Sequence, residues 1–283
     1  MSRAGALVLG AVMTAGAREL IRAVTTADGP RLTRTNYRGA RVSLAGGLGT
    51  AAGAVAAGAA TGGSQGRAAA LVSACAGVLG AIDDQNTSAA DKGLRGHLRA
   101  LANGRLTTGA AKLLGISASA LVGAAVAAHG RQGATVPRAL PGAQATSRAA
   151  DVLTSGALIA GTANLLNLFD LRPGRALKAG AVLSTPALLA GGPAARLATG
   201  ALAVVAASWP TDLREETMLG DAGANALGAL VGTALASHPN RGLRTGMLAG
   251  VVTLTVLSEK VSFSRVIERT PPLRALDAWG RSG

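Results

Sequence analysis

Two adjacent carboxylates, Asp83 and Asp84, close an apolar run that begins near Ala68 and carries no other charge. If that run crosses a membrane, both acids sit where hydrocarbon gives way to water. A carboxylate there is costly unless something pairs with it, and a divalent cation shared with phosphate oxygens is one such partner. Taken alone, the pair reads equally well as the start of a solvated loop. Two later runs argue otherwise, because each also carries a polar cluster with an Asp at one end. One closes in Asn164-Leu165-Leu166-Asn167-Leu168-Phe169-Asp170, whose polar members recur every three residues. The other opens with Met218-Leu219-Gly220-Asp221-Ala222-Gly223.

These clusters need elements that bring them together, and the hydropathy pattern supplies them. The chain is 49% hydrophobic, and its apolar residues fall in runs separated by Gly, Pro and basic clusters, the pattern of a polytopic membrane protein. Mean hydropathy is only +0.36, because the runs are rich in Ala and Gly. Small residues also permit close helix contact in lipid. The runs predict an all-α, polytopic transmembrane bundle of about nine spans. These are 4–24, 42–60, the run ending at Asp83, 107–128, 149–168, 176–190, 197–209, 218–237 and 243–257. Residues 1–257 form one membrane domain, and 258–283 are a C-terminal tail too polar to span.

The formal charge of +14 would suit nucleic acid, but only 2% of residues are aromatic and the basic residues lie between apolar runs. Membrane topology accounts for them, and no nucleic-acid partner is expected. Cys75 is the single cysteine and lies inside an apolar run, which excludes an intrachain disulfide or a thiolate metal cluster. The first run has no clear cleavage site and reads as a span.

With nine spans, 20 of the 28 Lys and Arg fall on one side of the membrane, the side that also carries the tail. That bias makes this side cytoplasmic. Of the 14 Asp and Glu, 13 fall there too, all but Asp151. Acids do not drive topology, so their gathering reads as one polar site. Lys92, Arg95, His97, Arg99 and Lys112 read mainly as topology and headgroup contacts. Gly46-Gly47 reads as helix packing. Gly220-Asp221 reads as a helix start, with an ionised Asp221 and free N–H groups for phosphate oxygens.

Asp83-Asp84, Asn164-x-x-Asn167-x-x-Asp170, the Asp221 segment and Ser43-Leu44-Ala45-Gly46-Gly47, in this order, resemble the polyprenyl-phosphate N-acetylhexosamine-1-phosphate transferase superfamily. Phospho-N-acetylmuramoyl-pentapeptide transferase is one of its members. The resemblance covers about Arg34 to Leu257. It implies Mg²⁺-dependent transfer of a sugar 1-phosphate from a UDP-sugar to a polyprenyl phosphate, with release of UMP, in cell-envelope glycan synthesis. Asp221 would ligate the metal, and Asp83 and Asp84 would position or activate the lipid phosphate. Asn164, Asn167 and Asp170 would hold the nucleotide or support the metal, while Arg38 and Ser43 would face the nucleoside. The implied location is the cell membrane, multi-pass, with the active site facing the cytoplasm. Homo-oligomer formation is left open.

The chain departs from the family pattern. Its tail, Ser258-Glu259-Lys260-Val261-Ser262-Phe263-Ser264-Arg265, lacks the family's His-rich motif. Asp170-Leu171-Arg172-Pro173-Gly174-Arg175 replaces the Asp-Gly-Leu-Asp continuation, and the family's final span is missing. The sugar is therefore open, and a muramoyl-pentapeptide donor is disfavoured. The alternative is a catalytically inactive relative that binds polyprenyl phosphate or scaffolds envelope enzymes. A transporter would carry its polar groups near mid-span. Here they lie at span ends.

Overall fold

The computed structural model describes residues 2–24, 32–85, 107–129 and 141–281. Lys92, Arg95, His97 and Arg99 lie outside the described residues. In chain order the elements are α1 (Arg3–Val24), β1 (Thr33–Thr35), β2 (Arg41–Ser43), α2 (Ala45–Thr61), α3 (Gly63–Gln85), α4 (Thr108–His129), α5 (Pro141–Phe169), α6 (Arg175–Leu189), α7 (Gly192–Leu213), α8 (Gly220–Ala236), α9 (Arg241–Ser258), α10 (Phe263–Arg269) and α11 (Pro271–Ala278). The architecture is all-α apart from one short antiparallel hairpin.

Helices α1 to α9 coincide with the nine apolar runs to within a few residues at most ends. Three stretches are long and apolar enough to cross a membrane: Gly63–Gln85, Thr108–His129 and Thr146–Phe169. They are consistent with a membrane protein. Helices α9 and α10 qualify only when taken together, and they meet at 94°. Nine spans are therefore not established by length and composition.

Helix boundaries follow local chemistry. The Asn240 side chain accepts the Leu243 N–H at 3.1 Å and caps α9. Proline stands in the first turn of α7 and of α11, where its missing N–H is no loss. The hairpin turn is held by Asn36, whose Oδ1 accepts the N–H groups of Arg38 and Ala40 at 2.9 Å each.

Helix α8 lies at the centre, packed against α2, α3, α5, α6 and α7. Each of its residues except Asp221 is buried. Its small side chains allow this: Gly228 and Gly232 face the α5 backbone at Ala163 and Ile159. The core fills with Leu158, Leu165 and Leu166 of α5, Leu227, Leu230 and Leu235 of α8, and Leu197 and Val204 of α7. By contrast, α9 buries only Arg244 and Val251 and exposes Leu243, Val252, Val256 and Leu257.

Candidate functional site

The acids meet because the helices alternate in direction. The C-terminal ends of α3, α5 and α7 and the N-terminal ends of α4 and α8 lie at one end of the bundle. Close approach there depends on glycine. A Cβ on Gly80 of α3 would stand 2.3 Å from the carbonyl oxygen of Asp221. One on Gly47 of α2 would stand 1.8 Å from that of Leu219. The packing role read for Gly46-Gly47 is what these contacts require.

Asp84 reaches across to α8, where its two carboxylate oxygens accept the N–H groups of Asp221 and Ala222 at 3.0 Å each. Asp170 accepts the Gly220 N–H. Asp212 accepts the Leu219 N–H, and also the Gly174 N–H at 2.6 Å. Acids from three other elements thus satisfy the opening of α8. This corrects the expectation that those N–H groups are free for phosphate. Asp84 supplies the carboxylate cap, and Asp221 projects from the first turn beside it.

Asp83 and Asp221 are joined by Lys112 of α4, whose ammonium donates to Oδ2 of both. Lys112 is only 8% exposed, so it is an interior counter-ion and not a headgroup contact. Arg34 on β1 adds a second positive charge near Asp84. Asp83, Asp84 and Asp221 thus gather round the buried Lys112 ammonium, with Asp170 beside them, while Asp212 lies in the field of Lys178 and Arg281. Two of these acids lie outside the apolar runs and respond strongly. Burial, reinforced by Asp212, Asp221 and Asp84, holds the Asp170 carboxyl well above the usual carboxylate range. Burial also raises Asp212 to about 6, against the pull of its two backbone N–H donors.

Beside this cluster opens a cleft lined by Asn36, Tyr37, Val42, Asp170, Arg172, Asp212, Glu215 and Met218, among others. The hairpin forms one wall, fixed by the Met218 N–H donating to the Ser43 carbonyl at 3.0 Å. Tyr37 offers an aromatic face, with the Arg172 guanidinium 4.1 Å from its centroid. Glu215 accepts from the Asn36 amide and pairs with Arg38 at 3.4 Å.

Of the residues expected at the site, Asp83, Asp84, Asp170 and Asp221 come together, and Arg38 stands exposed at the cleft rim. The Ser43 hydroxyl accepts the Ala45 N–H at 3.1 Å, at the start of α2. Asn164 and Asn167 lie on the last turns of α5, and neither side chain makes a hydrogen bond among the described residues. Lys112, Asp212 and Tyr37 were not foreseen as site residues. Only the proximity of Lys112 to the start of an apolar run, at the acid-rich side, could have flagged it.

Among the described residues, no group of three or more His, Cys, Asp and Glu side chains is placed to hold a metal ion. Asp83 and Asp221 remain as a smaller donor pair. Asp83 and Asp221 present hard carboxylate oxygens, and the Lys112 ammonium between them marks a position built for positive charge. Mg²⁺ commonly takes one or two carboxylates and fills its other positions with water and substrate phosphate.

No protein-family model, curated protein sequence or solved structure matches the chain.

Proposed function

We propose that the chain is a Mg²⁺-dependent phosphotransferase that moves a sugar 1-phosphate from a UDP-sugar to a polyprenyl phosphate, releasing UMP, at the cytoplasmic face of a cell membrane. The observation that carries this reading is the gathering of Asp83, Asp84, Asp170 and Asp221, with Lys112 and Arg34 as their near cations, beside a cleft walled by Tyr37 and Arg172. An excess of buried negative charge is costly unless a cation completes it.

In the reaction, an oxygen of the lipid phosphate attacks the sugar-bearing phosphorus. The P–O bond to UMP breaks, and UMP leaves with the electron pair. A phosphate monoester is largely a dianion at neutral pH, its second pKa being about 6, so the nucleophile needs no protein base. What the step needs is neutralisation of gathering charge. Asp83 and Asp221 would hold Mg²⁺, which supplies Lewis-acid stabilisation of the phosphate oxygens. Lys112 fixes the two carboxylates and offers its ammonium to the same oxygens once they arrive. Asp84 fixes the first turn of α8, and with it the direction of Asp221. Asp170 and Asp212 anchor the neighbouring turns, while Tyr37, Arg172 and Arg38 suit the nucleoside end of the donor.

In this reading α1 to α9 cross the membrane with their apolar runs, and the acid-rich ends beyond those runs, Asp170 and Asp212 among them, face the cytoplasm, in line with the Lys and Arg bias. Helix α8, at 17 residues, is screened from lipid by its neighbours. Cysteine labelling from either side, in a Cys75→Ser background, tests that orientation.

A second reading has its own support. Both oxygens of Asp84 are already engaged, and Lys112 fills the space between Asp83 and Asp221. That arrangement suits an inactive relative that binds polyprenyl phosphate. Purified protein supplied with polyprenyl phosphate, a panel of UDP-sugars and Mg²⁺ separates the two. UMP release that stops on chelation supports the transferase. Lipid binding with no UMP from any donor supports the alternative and overturns the first reading.

A further inference from the structure

The segment after α9 is not a free tail. At its start, Phe263 stacks on Phe169 at 5.0 Å, beside the Asp170 turn. At its end, Asp277 receives both arms of Arg175, at 2.8 and 2.9 Å, and Lys178 donates to its carbonyl oxygen at 2.7 Å. Trp279 meets Trp209 edge-on at 5.5 Å. Glu268 pairs with Arg172. Two of the segment's three acids are thus turned to the body of the protein.

Its other side chains are left outside. Lys260, Arg265, Arg269 and Arg274 are exposed and form no ion pair among the described residues. Between them stand exposed apolar groups: Val261, Val266, Leu273, Leu276 and Trp279, the last 64% exposed. On α11, Leu273 and Leu276 are three residues apart and share a face, which Trp279 extends beyond the helix end, while Arg274 points to the opposite side. A soluble tail would leave these groups in water at a cost. A surface with an apolar layer under anionic headgroups matches both sets.

Orientation supplies the remaining constraint. Helix α9 spans 18 residues, or about 27 Å of rise, close to the roughly 30 Å of a hydrocarbon core. Helix α10 leaves it at 94°. If α9 stands along the membrane normal, α10 lies in the membrane plane at its surface. Trp279 is the residue type that settles at such interfaces.

We propose that residues 259–281 form an in-plane interfacial element, with Leu273, Leu276 and Trp279 immersed below the headgroups and Lys260, Arg265, Arg269 and Arg274 held by anionic lipid. The proposal stands independently of the transferase reading.

The test uses the full chain with Cys75→Ser, reconstituted in bilayers of phosphatidylglycerol and phosphatidylcholine. Nitroxides are placed at Leu276→Cys or Arg274→Cys, and depth is read from relative accessibility to oxygen and to a water-soluble nickel complex. The Leu276 label should favour oxygen, and the Arg274 label nickel. Pure phosphatidylcholine, or Arg265→Glu with Arg269→Glu, should move the Leu276 label toward water. High salt on the labelled protein with its basic residues intact should do the same without any risk to folding. A Leu276 label that favours nickel in the anionic bilayer overturns the proposal. Dipolar broadening between Leu276 labels would assign the face to a second copy and overturn it equally. Immersion indifferent to lipid charge, salt and charge reversal would overturn the role given to the basic side chains.

Discussion

The two ends of the bundle treat carboxylates in opposite ways. At the end away from the cleft, Asp151 of α5 meets Arg244, which is only 4% exposed, and lies 3.6 Å from Arg241. One acid faces two guanidiniums, and the cluster staples the largely exposed α9 to α5. At the cleft end, Asp83, Asp84, Asp170 and Asp221 gather near the buried Lys112 and Arg34, Asp212 lies near Lys178 and Arg281, and three of the five acids are held by backbone N–H groups. A matched pair can be explained by cohesion alone. An unmatched cluster cannot, because every further buried carboxylate raises its energy. The first arrangement is complete as it stands. In the proposed reading the second receives positive charge.

The sharpest way to break that comparison is Asp221→Asn. It keeps size and hydrogen bonding but removes a charge. We expect UMP release to fall by at least about a hundredfold while the protein still folds. The same variant should lose stabilisation by Mg²⁺, which for the wild type reaches about 2.7 kcal/mol at a hundredfold excess over Kd. Melting curves with and without the ion measure it. Near-normal turnover by Asp221→Asn would make the residue a helix-end acid and no more.

At the far end the pattern should invert. Asp151→Ala strands the buried Arg244 and should destabilise by about 3–5 kcal/mol, with UMP release per folded molecule unchanged. Asp151→Leu together with Arg244→Met should recover most of that loss, since a buried pair replaced by apolar groups is close to neutral. Chemical denaturation in detergent reads both.

The pH response distinguishes the ends as well. Asp212 titrates near 6 when folded and near 4 when unfolded, so the folded state holds its proton more tightly. Asp170 shifts in the same direction. The Asp212 contribution to stability should therefore be fully present below about pH 4 and be lost as the pH rises through about 6, by about 3 kcal/mol. In Asp212→Asn that slope should flatten. Asp277, although burial opposes it, is drawn below the usual carboxylate range by Arg175 and Arg281, so its contribution is lost only at lower pH. Unfolding midpoints across pH 4–7 decide the sign.

The smallest expected effect is that of Gly80→Ala. The added methyl meets the Asp221 carbonyl and should cost about 1–3 kcal/mol, while lowering turnover through the displaced α3. Gly246→Ala, with open space around it, is the control.

Periodicity and charge were enough to mark nine helices and to gather the acids at one end, because both follow from local composition. The contacts that complete the site are long-range. Lys112 finds partners 29 and 109 positions away, and at sequence level it is one more basic residue beside an apolar run. Asp212 is a lone acid after Pro210-Thr211, and its partner N–H groups belong to turns fixed only by packing. The hairpin at Thr33–Ser43 was hidden because its strands have three residues each and only Val42 among them is apolar, and it docks on Met218. The N–H groups at the start of α8 looked available because nothing local predicts that Asp84 would reach them.

The contact between Asp84 and α8 also sets a clock on synthesis. The carboxylate leaves the ribosome 137 residues ahead of the Asp221 N–H that will hold it. At about 5–20 residues per second, α3 ends in an uncapped acid pair for roughly seven to twenty-seven seconds. Lys112 follows Asp83 by only 29 residues, so its ammonium is the first lasting partner the nascent pair can have. A Lys112→Met chain should therefore fail early, as an unfinished insertion intermediate cleared by proteolysis, whereas Asp221→Asn should accumulate as finished protein.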